Sequence, residues 1–123
     1  MAKTLDISLK LSSATPVSGI LSLNLDISDA LIFTDPTVTS TSVSVATGSP
    51  TVIVASAVTD ITYVYIRNAD PTNIVVLKTD AAHSYADLGP GEFAFLPVKG
   101  AVGIEAQAAG AACIVEYATF TKA

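Results

Sequence analysis

The sequence predicts one all-β domain, an antiparallel β-sandwich with a jelly-roll-like arrangement of strands. Apolar and polar residues alternate with a period of two along much of the chain, which is the pattern of half-buried strands. Turn-forming residues separate these segments at short intervals, and no segment has the pattern of an amphipathic helix of normal length. The length of 123 residues suits a single domain, so we expect residues 1–123 to fold as one unit.

The first predicted element is a hairpin near the N-terminus. Residues 5–11 alternate Leu or Ile with Asp, Ser and Lys, and residues 21–27 repeat the pattern. Residues 12–19 contain Pro16 and Gly19 and form the predicted connection. The two segments therefore predict antiparallel strands joined by a long loop.

The next segment contains Asp35-Pro36, which marks a turn. Residues 30–33 fit either a short strand or a single helical turn. Residues 37–45 consist almost entirely of Thr, Ser and Val and predict a strand, as do residues 51–58. Because the chain up to residue 50 is rich in Ser and Thr and poor in aromatic residues, we expect residues 1–50 to form an arm or an edge sheet.

The second half of the chain predicts the remaining strands. Residues 62–68 and 74–78 are expected to pair as a hairpin, and residues 80–87 to form a polar loop. Three more strands are predicted after a Gly-Pro-Gly turn, at residues 92–98, 102–107 and 111–120. So many short strands favour two packed sheets.

Composition and charge argue against two classes of partner. The net charge is −5 and the pI about 4.4, with only six basic residues, so no basic patch is available for nucleic-acid phosphates. The mean hydropathy is +0.57, but no stretch approaches the roughly 20 consecutive apolar residues of a membrane span. The N-terminus lacks the apolar segment of a secretion signal. We expect a protein made in the cytoplasm, with no nucleic-acid or membrane partner.

The sequence predicts no catalytic, cofactor or metal site. His83 is the only histidine, and no nucleophile motif accompanies it. Cys113 lies in an apolar segment without a basic neighbour, so we expect a buried core residue rather than a reactive thiol. Asp26, Asp29 and Asp35 lie close together in sequence and leave two interpretations open. They are either ligands of a cation such as Ca²⁺ or, as we favour, turn and strand-edge carboxylates.

Aromatic residues alternate along three predicted strands, and both rings of each pair are expected to lie on one side of a sheet. The pairs are Tyr63 with Tyr65, Phe93 with Phe95, and Tyr117 with Phe120. Such rows commonly serve in a core or in a contact between subunits, and less often stack on sugars. The sequence contains no tryptophan, so the first use is favoured.

Several segments of the second half form a distinctive set. They are Tyr63-Val-Tyr-Ile-Arg-Asn68, Leu88-Gly-Pro-Gly-Glu-Phe-Ala-Phe-Leu-Pro-Val98, Val102-Gly-Ile-Glu-Ala-Gln107 and Val115-Glu-Tyr117. With the turns between them, residues 60–120 resemble the small β-structured virion proteins encoded among the head and tail genes of marine tailed bacteriophages.

The resemblance implies a capsid decoration or cement protein that binds the outside of the shell formed by the major capsid protein. A small tail, fibre or adaptor component of the virion is the alternative. The resemblance implies no catalytic residues, no cofactor and no small-molecule substrate. The expected assembly is a homotrimer on the capsid exterior, because closed cyclic assembly buries the same patch on every copy. A carbohydrate-binding module outside any virion is a further alternative.

A contact surface is predicted near the N-terminus. With only 14% charged residues, a solitary domain would leave apolar sheet surface and strand edges uncovered. We expect neighbouring subunits to cover them. The residues predicted to lie in this contact are Leu5, Ile7, Leu9 and Leu11.

Overall fold

The computed structural model describes residues 3–12, 24–33, 39–79 and 83–122, and these residues form ten β-strands and no helix. The strands are β1 (Lys3–Ser12), β2 (Asn24–Phe33), β3 (Thr39–Val45), β4 (Thr51–Val54), β5 (Thr62–Asn68), β6 (Ile74–Lys78), β7 (Ser84–Leu88), β8 (Phe93–Val98), β9 (Ile104–Ala109) and β10 (Cys113–Thr121). The predicted all-β class is confirmed. Within the described ranges no helix could cross a membrane.

The strands β3 to β10 form two four-stranded antiparallel sheets, with the orders β3-β10-β5-β8 and β4-β9-β6-β7. The first of these eight strands pairs with the last, the second with the seventh, the third with the sixth, and the fourth with the fifth. The chain is therefore one long hairpin that is rolled up, and the pairs β5·β10 and β6·β9 close the roll. This nesting is the jelly-roll arrangement, as predicted.

The core lies between the two four-stranded sheets. Along β5 every second residue is buried, with Val64 and Ile66 fully enclosed. Val75 and Leu77 of β6, in the other sheet, belong to the same core cluster. Branched side chains pack well on pleated surfaces, which explains why this Val- and Ile-rich chain folds into strands. The predicted sandwich in a single domain is confirmed.

The strands β1 and β2 form a separate two-stranded sheet, called the arm below. Their pairing confirms the predicted N-terminal hairpin, and residues 30–33 continue the strand β2 rather than forming a helical turn. The next strand, β3, is an edge strand of a four-stranded sheet and carries the fully buried Val45. The arm therefore ends before Thr39, not at residue 50.

The predicted hairpin of residues 62–68 and 74–78 is wrong. These residues form β5 and β6, which lie in different sheets. Both strands bury alternate residues, but their apolar sides belong to opposite walls of the core. The inner faces of both sheets of a sandwich show the same alternation. The period of two therefore cannot distinguish two paired strands from two strands that face each other.

Two predicted segment limits are also wrong. Within the predicted loop at residues 80–87, of which 80–82 lie outside the described residues, Ser84–Leu88 forms the edge strand β7. Leu88 at the end of this strand is buried. Ser84 and Asp87 make the segment resemble a polar loop, so its short alternating pattern was not recognised. The strand predicted at residues 51–58 ends at Val54, next to a break in the pairing register of β4 with β9.

Candidate functional site

The arm has one apolar face and one polar face. Its strands pair without interruption from Lys3↔Phe33 to Ser12↔Asn24. Residues that pair directly, and residues two apart on one strand, lie on the same face. The apolar face of the arm consists of Leu5, Ile7, Leu9, Leu11, Leu25, Ile27 and Leu31.

Much of this apolar face is uncovered. Leu9 is 44% exposed and Ile27 is 57% exposed, and Leu11 and Leu25 are exposed as well. The half-buried members are Leu5, Ile7 and Leu31. The structure thus brings the four residues predicted for a subunit contact onto one face and leaves that face open. The contact itself stays a prediction.

The opposite face of the arm is mostly polar. Lys10 pairs with Asp26, which places opposite charges side by side, and Ser8 pairs with Ser28. Ile32, near the base of the arm, is the large apolar residue on this face and is 54% exposed. The arm is therefore amphipathic across its thickness, and one face holds nearly all of the apolar area that a neighbour could bury.

Phe33 attaches the arm to the jelly roll. Its side chain is only 1% exposed, and its ring centroid lies 6.2 Å from that of Tyr63 and 5.2 Å from that of Phe120. An isolated antiparallel bridge joins Phe33 to Lys122, just past the end of β10. Edge-to-face and tilted ring pairs at these distances are favourable packing geometries. Phe33 is thus the point at which the arm packs on the body.

The arm projects away from the body. Because the bridge between Phe33 and Lys122 is antiparallel, the residues that precede Phe33 in β2 continue past the end of β10. The strands β1 and β2 accordingly contact each other along their full length and the body hardly at all. Ten residues per strand give the arm a length of about 34 Å.

A row of aromatic side chains covers the outer face of the β3-β10-β5-β8 sheet. Tyr63 and Tyr65 alternate with the core residues of β5, so they point away from the core. Ring contacts connect Tyr63 with Phe95 at 5.7 Å and Tyr65 with Phe93 at 6.3 Å. The aromatic face, as it is called below, consists of Tyr63, Tyr65, Phe93, Phe95 and Phe120.

One predicted aromatic pair does not share a face. Tyr117 packs against the core, whereas Phe120 lies on the aromatic face and contacts Phe95 at 6.5 Å. The expectation that Tyr117 and Phe120 face the same side is wrong, because residues three apart on a strand point to opposite sides. The other two pairs, on β5 and β8, share the aromatic face as predicted.

The apolar face of the arm and the aromatic face are continuous. Phe33 lies on the aromatic face through its contacts with Tyr63 and Phe120, and Leu31 follows it on the same side of β2. The two faces thus adjoin at Phe33, which is itself buried, and together they extend from Phe93 at one end of the sheet to the tip of the arm. Apolar patches larger than about 600 Å² on a protein surface commonly mark interaction sites.

Charged groups interrupt this surface at three places, and the first is Lys3, which pairs with Phe33 at the base of the arm. Asp29 lies on the apolar face of the arm opposite Ile7, and its Oδ1 accepts a hydrogen bond from the backbone N–H of Ala30 at 2.8 Å. On the same outer side of the sheet as the aromatic face, Nη1 of Arg67 lies 3.7 Å from Oε2 of Glu116, and both side chains are about half exposed. An ion pair this exposed contributes little stability and can exchange partners at low cost.

The structure does not bring the three predicted carboxylates together. Asp26 lies on the polar face of the arm and Asp29 on the apolar face, so these two side chains point to opposite sides of β2. Asp35 lies outside the described residues. In the part of the chain that the structure describes, no group of three His, Cys, Asp or Glu side chains is placed to hold a metal ion.

The two remaining candidate residues differ in their surroundings. His83 is exposed just before β7, and its backbone carbonyl accepts a hydrogen bond from the N–H of Thr79 at 2.9 Å. Cys113 is buried in the core, as predicted, with its Sγ 3.4 Å from the carbonyl oxygen of Ala111. Burial raises the pKa of the Cys113 thiol, and the negative charge of Asp70 raises it further. A thiol held protonated is a poor nucleophile.

Phe33 is a residue of the candidate site that the sequence analysis missed. The alternating series of β2 runs Leu25, Ile27, Asp29, Leu31, Phe33, and the carboxylate in its middle interrupts the apolar pattern. Continuing the period of two across Asp29 would have identified Phe33 as part of the same face. Its packing partners on β5 and β10 could not be read from the series.

Comparisons with protein-family models, with curated proteins and with solved structures gave no significant match to this chain.

Proposed function

We propose that this chain is a structural virion protein of a tailed bacteriophage, a decoration or cement protein on the outside of the capsid. It is made in the host cytoplasm and then binds the shell of the major capsid protein, as a homotrimer. In this role it stabilises the head by contact and performs no catalysis.

The open apolar surface of the arm is the observation that carries this proposal. Its exposed members include Leu9 and Ile27, while the body has its own closed core. An isolated two-stranded hairpin is at best marginally stable in water, so the arm needs neighbours that cover it. Repeated docking on a shell provides such neighbours at every copy.

The fold is compatible with this role but does not assign it. Jelly rolls are common in viral capsid proteins, and they also occur in lectins and in enzymes. One fold hosts many functions, so the argument depends on the arm rather than on the jelly roll. The resemblance of residues 60–120 to phage virion proteins also supports a structural role in a virion.

Deleting the gene from the phage genome tests the role directly. Heads without the protein should release their DNA at lower temperature, and after milder osmotic shock, than complete heads. Restoring the protein in trans should return the resistance. Heads that withstand both treatments equally well without the protein would remove the stabilising role.

Copy number separates the head from the tail. A decoration protein is present in hundreds of copies in each particle, whereas a tail, fibre or adaptor component is present in few. Densitometry of purified virions, with the major capsid protein as the internal standard, gives the ratio. A copy number per particle close to that of tail proteins would assign the protein to the tail instead of the capsid.

Sugar binding is a second candidate, favoured by the exposed end of the aromatic face. Phe93 is 62% exposed, its ring lies 6.3 Å from that of Tyr65, and it pairs with Arg67, which in turn lies beside Glu116 on the next strand. Exposed rings flanked by polar groups can stack on sugar rings. A glycan array should then give hits that are lost in Phe93→Ala. An array without hits removes this candidate.

A further inference from the structure

We propose that the apolar face of the arm of one copy lies on the aromatic face of a second copy of this chain. The proposal rests on the self-association assumed in the proposed function and names the two surfaces that make it. It does not depend on where in a virion the protein is found.

The apolar face of the arm has no cover from the described residues of its own body. Among the described residues, the jelly roll packs on the arm at Phe33, while Leu9, Leu11, Leu25 and Ile27 stay exposed. Two strands alone cannot bury an apolar face, and an isolated hairpin is marginal for that reason. A ten-residue hairpin with an open apolar face therefore gains stability from a neighbouring surface along its length.

The aromatic face already accepts a side chain of the arm. Phe33 packs against Tyr63 and Phe120 at one end of this face and is almost completely buried there. The other end, at Phe93, is open. The arm of the same copy projects away from this open end, because the bridge at Lys122 directs it past the end of β10. The arm of another copy can reach it.

The two surfaces have matching lengths. Beyond Phe33 the arm presents successive cross-strand pairs, which are Leu5–Leu31, Ile7–Asp29, Leu9–Ile27 and Leu11–Leu25. The outer face of the sheet, followed away from the arm, presents Tyr63–Phe120, Tyr65–Ala118, Arg67–Glu116 and then Ile114. Phe33 of the same copy already covers the Tyr63–Phe120 layer, so three layers of the sheet, each about 7 Å from the next, are open to the first three layers of the arm of another copy.

The charges on the two surfaces are complementary. Asp29 lies in the second layer of the arm beyond Phe33, and Arg67 lies in the third layer of the aromatic face. When the Leu5–Leu31 pair lies on the first open layer, Tyr65–Ala118, and the arm runs towards Ile114, these two side chains come to lie in the same layer on opposite sides of the contact. The long Arg67 side chain can span the contact and exchange its exposed partner Glu116 for Asp29.

The area is sufficient for a specific contact when two copies exchange arms. An arm about 34 Å long and about 10 Å wide covers roughly 340 Å² on each of the two surfaces. One contact therefore buries roughly 340 Å² per partner, and the 800 Å² per partner of a standard interface is approached only when the same two copies exchange arms, at roughly 700 Å² each. The area thus favours a reciprocal contact between two copies over the three copies of the proposed function.

Sedimentation of the purified protein tests the contact with matched variants. Ile27→Ser changes the arm and Phe93→Ser changes the aromatic face, and both side chains are exposed in a single copy, so the fold tolerates them. Each should raise the dissociation constant roughly tenfold or more, because a buried aliphatic or aromatic side chain is lost. Circular dichroism should show an unchanged strand spectrum.

The controls remove equally exposed side chains outside the contact. Ile32 lies on the polar face of the arm and is 54% exposed, and Tyr85 lies on the other four-stranded sheet and is 48% exposed. Ile32→Ser and Tyr85→Ser should leave the dissociation constant unchanged. A protein that is monomeric at high micromolar concentration, or an assembly that loses affinity equally in all four variants, overturns the proposal.

Cross-linking between differently labelled copies identifies the two partners. A copy with Ile27→Cys and a copy with Phe93→Cys, mixed and treated with a short bis-maleimide, should give a mixed species, whereas Ile32→Cys with Phe93→Cys should not. The native Cys113 is buried and does not compete. A product that joins only two Ile27→Cys arms overturns the proposal. A correct cross-link in a protein absent from virions would remove the proposed function and leave this contact standing.

Discussion

The ring of Phe33 lies 5.2 Å from the ring of Phe120, and this contact joins the arm to the jelly roll. Phe33 belongs to β2 and Phe120 to β10, so the contact connects two sheets that, among the described residues, pair only through the bridge between Phe33 and Lys122. Phe33 therefore provides the ring contacts that attach the arm to the body.

Phe33→Ala should detach the arm from the body. Removing a buried phenylalanine typically costs about 3–5 kcal/mol, because its contacts are lost and a cavity remains. Limited proteolysis should then cut between residues 3 and 33 while the jelly roll stays intact, and the midpoint of denaturant unfolding should fall. Ile32→Ala, one residue away but exposed, should change stability by less than about 0.5 kcal/mol. Equal protease resistance of both variants would contradict the anchoring role.

Asn68 is a buried polar side chain that connects two turns. Its Nδ2 donates to the carbonyl oxygens of Asn73 at 2.8 Å, Leu88 at 3.0 Å and Gly89 at 3.2 Å, and its Oδ1 accepts from the N–H of Asp70 at 3.0 Å. Asn68→Ala should destabilise the protein by about 3 kcal/mol, because these carbonyl groups lose their donor in a buried place. Denaturant titration measures the difference.

Asn68→Asp tests the effect of a negative charge at the same position. A carboxylate would place a negative oxygen against the carbonyl oxygens that Nδ2 now satisfies, so we expect a larger loss than in Asn68→Ala at neutral pH. Acidification should recover part of that loss, since a protonated Asp can donate. Asn73→Ala, which removes a side-chain donor to Asp70 only, is the milder control. A neutral result for Asn68→Ala would contradict the bridging role.

Asp70 makes the loop between β5 and β6 sensitive to acid. The backbone N–H groups of Asn73 and Thr72 donate to its Oδ2, and these hydrogen bonds lower the pKa of the carboxyl below its usual value of 3.8. A lowered folded-state pKa means that the carboxylate stabilises the fold above the unfolded pKa. This contribution is lost as the pH falls through the folded pKa.

Asp70→Ala should therefore lower the melting temperature at neutral pH, and the difference from the wild type should shrink below about pH 4. Thermal melts at a series of pH values provide the measurement. Asp87→Ala, at an exposed position on β7, serves as the control. A difference that persists unchanged at pH 2 would show that the hydrogen bonds to Asp70 do not depend on its charge.

Gly103 is placed where only glycine fits. Its φ is +74°, and a Cβ at this position would lie 2.5 Å from the carbonyl oxygen of Val54 and 2.9 Å from the backbone nitrogen of Ser56. Gly103→Ala should cost about 2 kcal/mol or more, because strain and a backbone clash add. Gly48→Ala, where a Cβ would meet nothing within 4 Å, should be close to neutral. Equal melting temperatures would contradict this assignment.

The sequence predicted the strands better than their partners. The N-terminal hairpin, and the strands around Val64, Leu96 and Val115, follow from alternation that extends over only a few residues. β7 was missed because Ser84, Asp87 and their neighbours are mostly polar, and an edge strand needs to bury few residues. The hairpin of β5 with β6 failed because both walls of a sandwich show the same alternation.

The sequence predicted only part of the candidate site. Leu5, Ile7, Leu9 and Leu11 do lie on one face, because a period of two puts them there in any extended strand. That this face is open, that Phe33 buries its base, and that the aromatic face continues it depend on contacts between β2, β5 and β10. No local pattern encodes contacts between segments so far apart in the chain.

By itself the sequence determined that this protein is built from short strands with one apolar side each, because side-chain alternation is a local property of the extended chain. The tertiary structure alone decided that β3 pairs with β10 and β4 with β9, which makes the strands a jelly roll. The tertiary structure also decided that β1 and β2 form a separate sheet outside the jelly roll. The physical reason is that alternation requires each strand to bury one side but does not specify which strands are neighbours. The packing of particular side chains, such as Asn68 between two turns and Phe33 on Phe120, selects one arrangement of the strands.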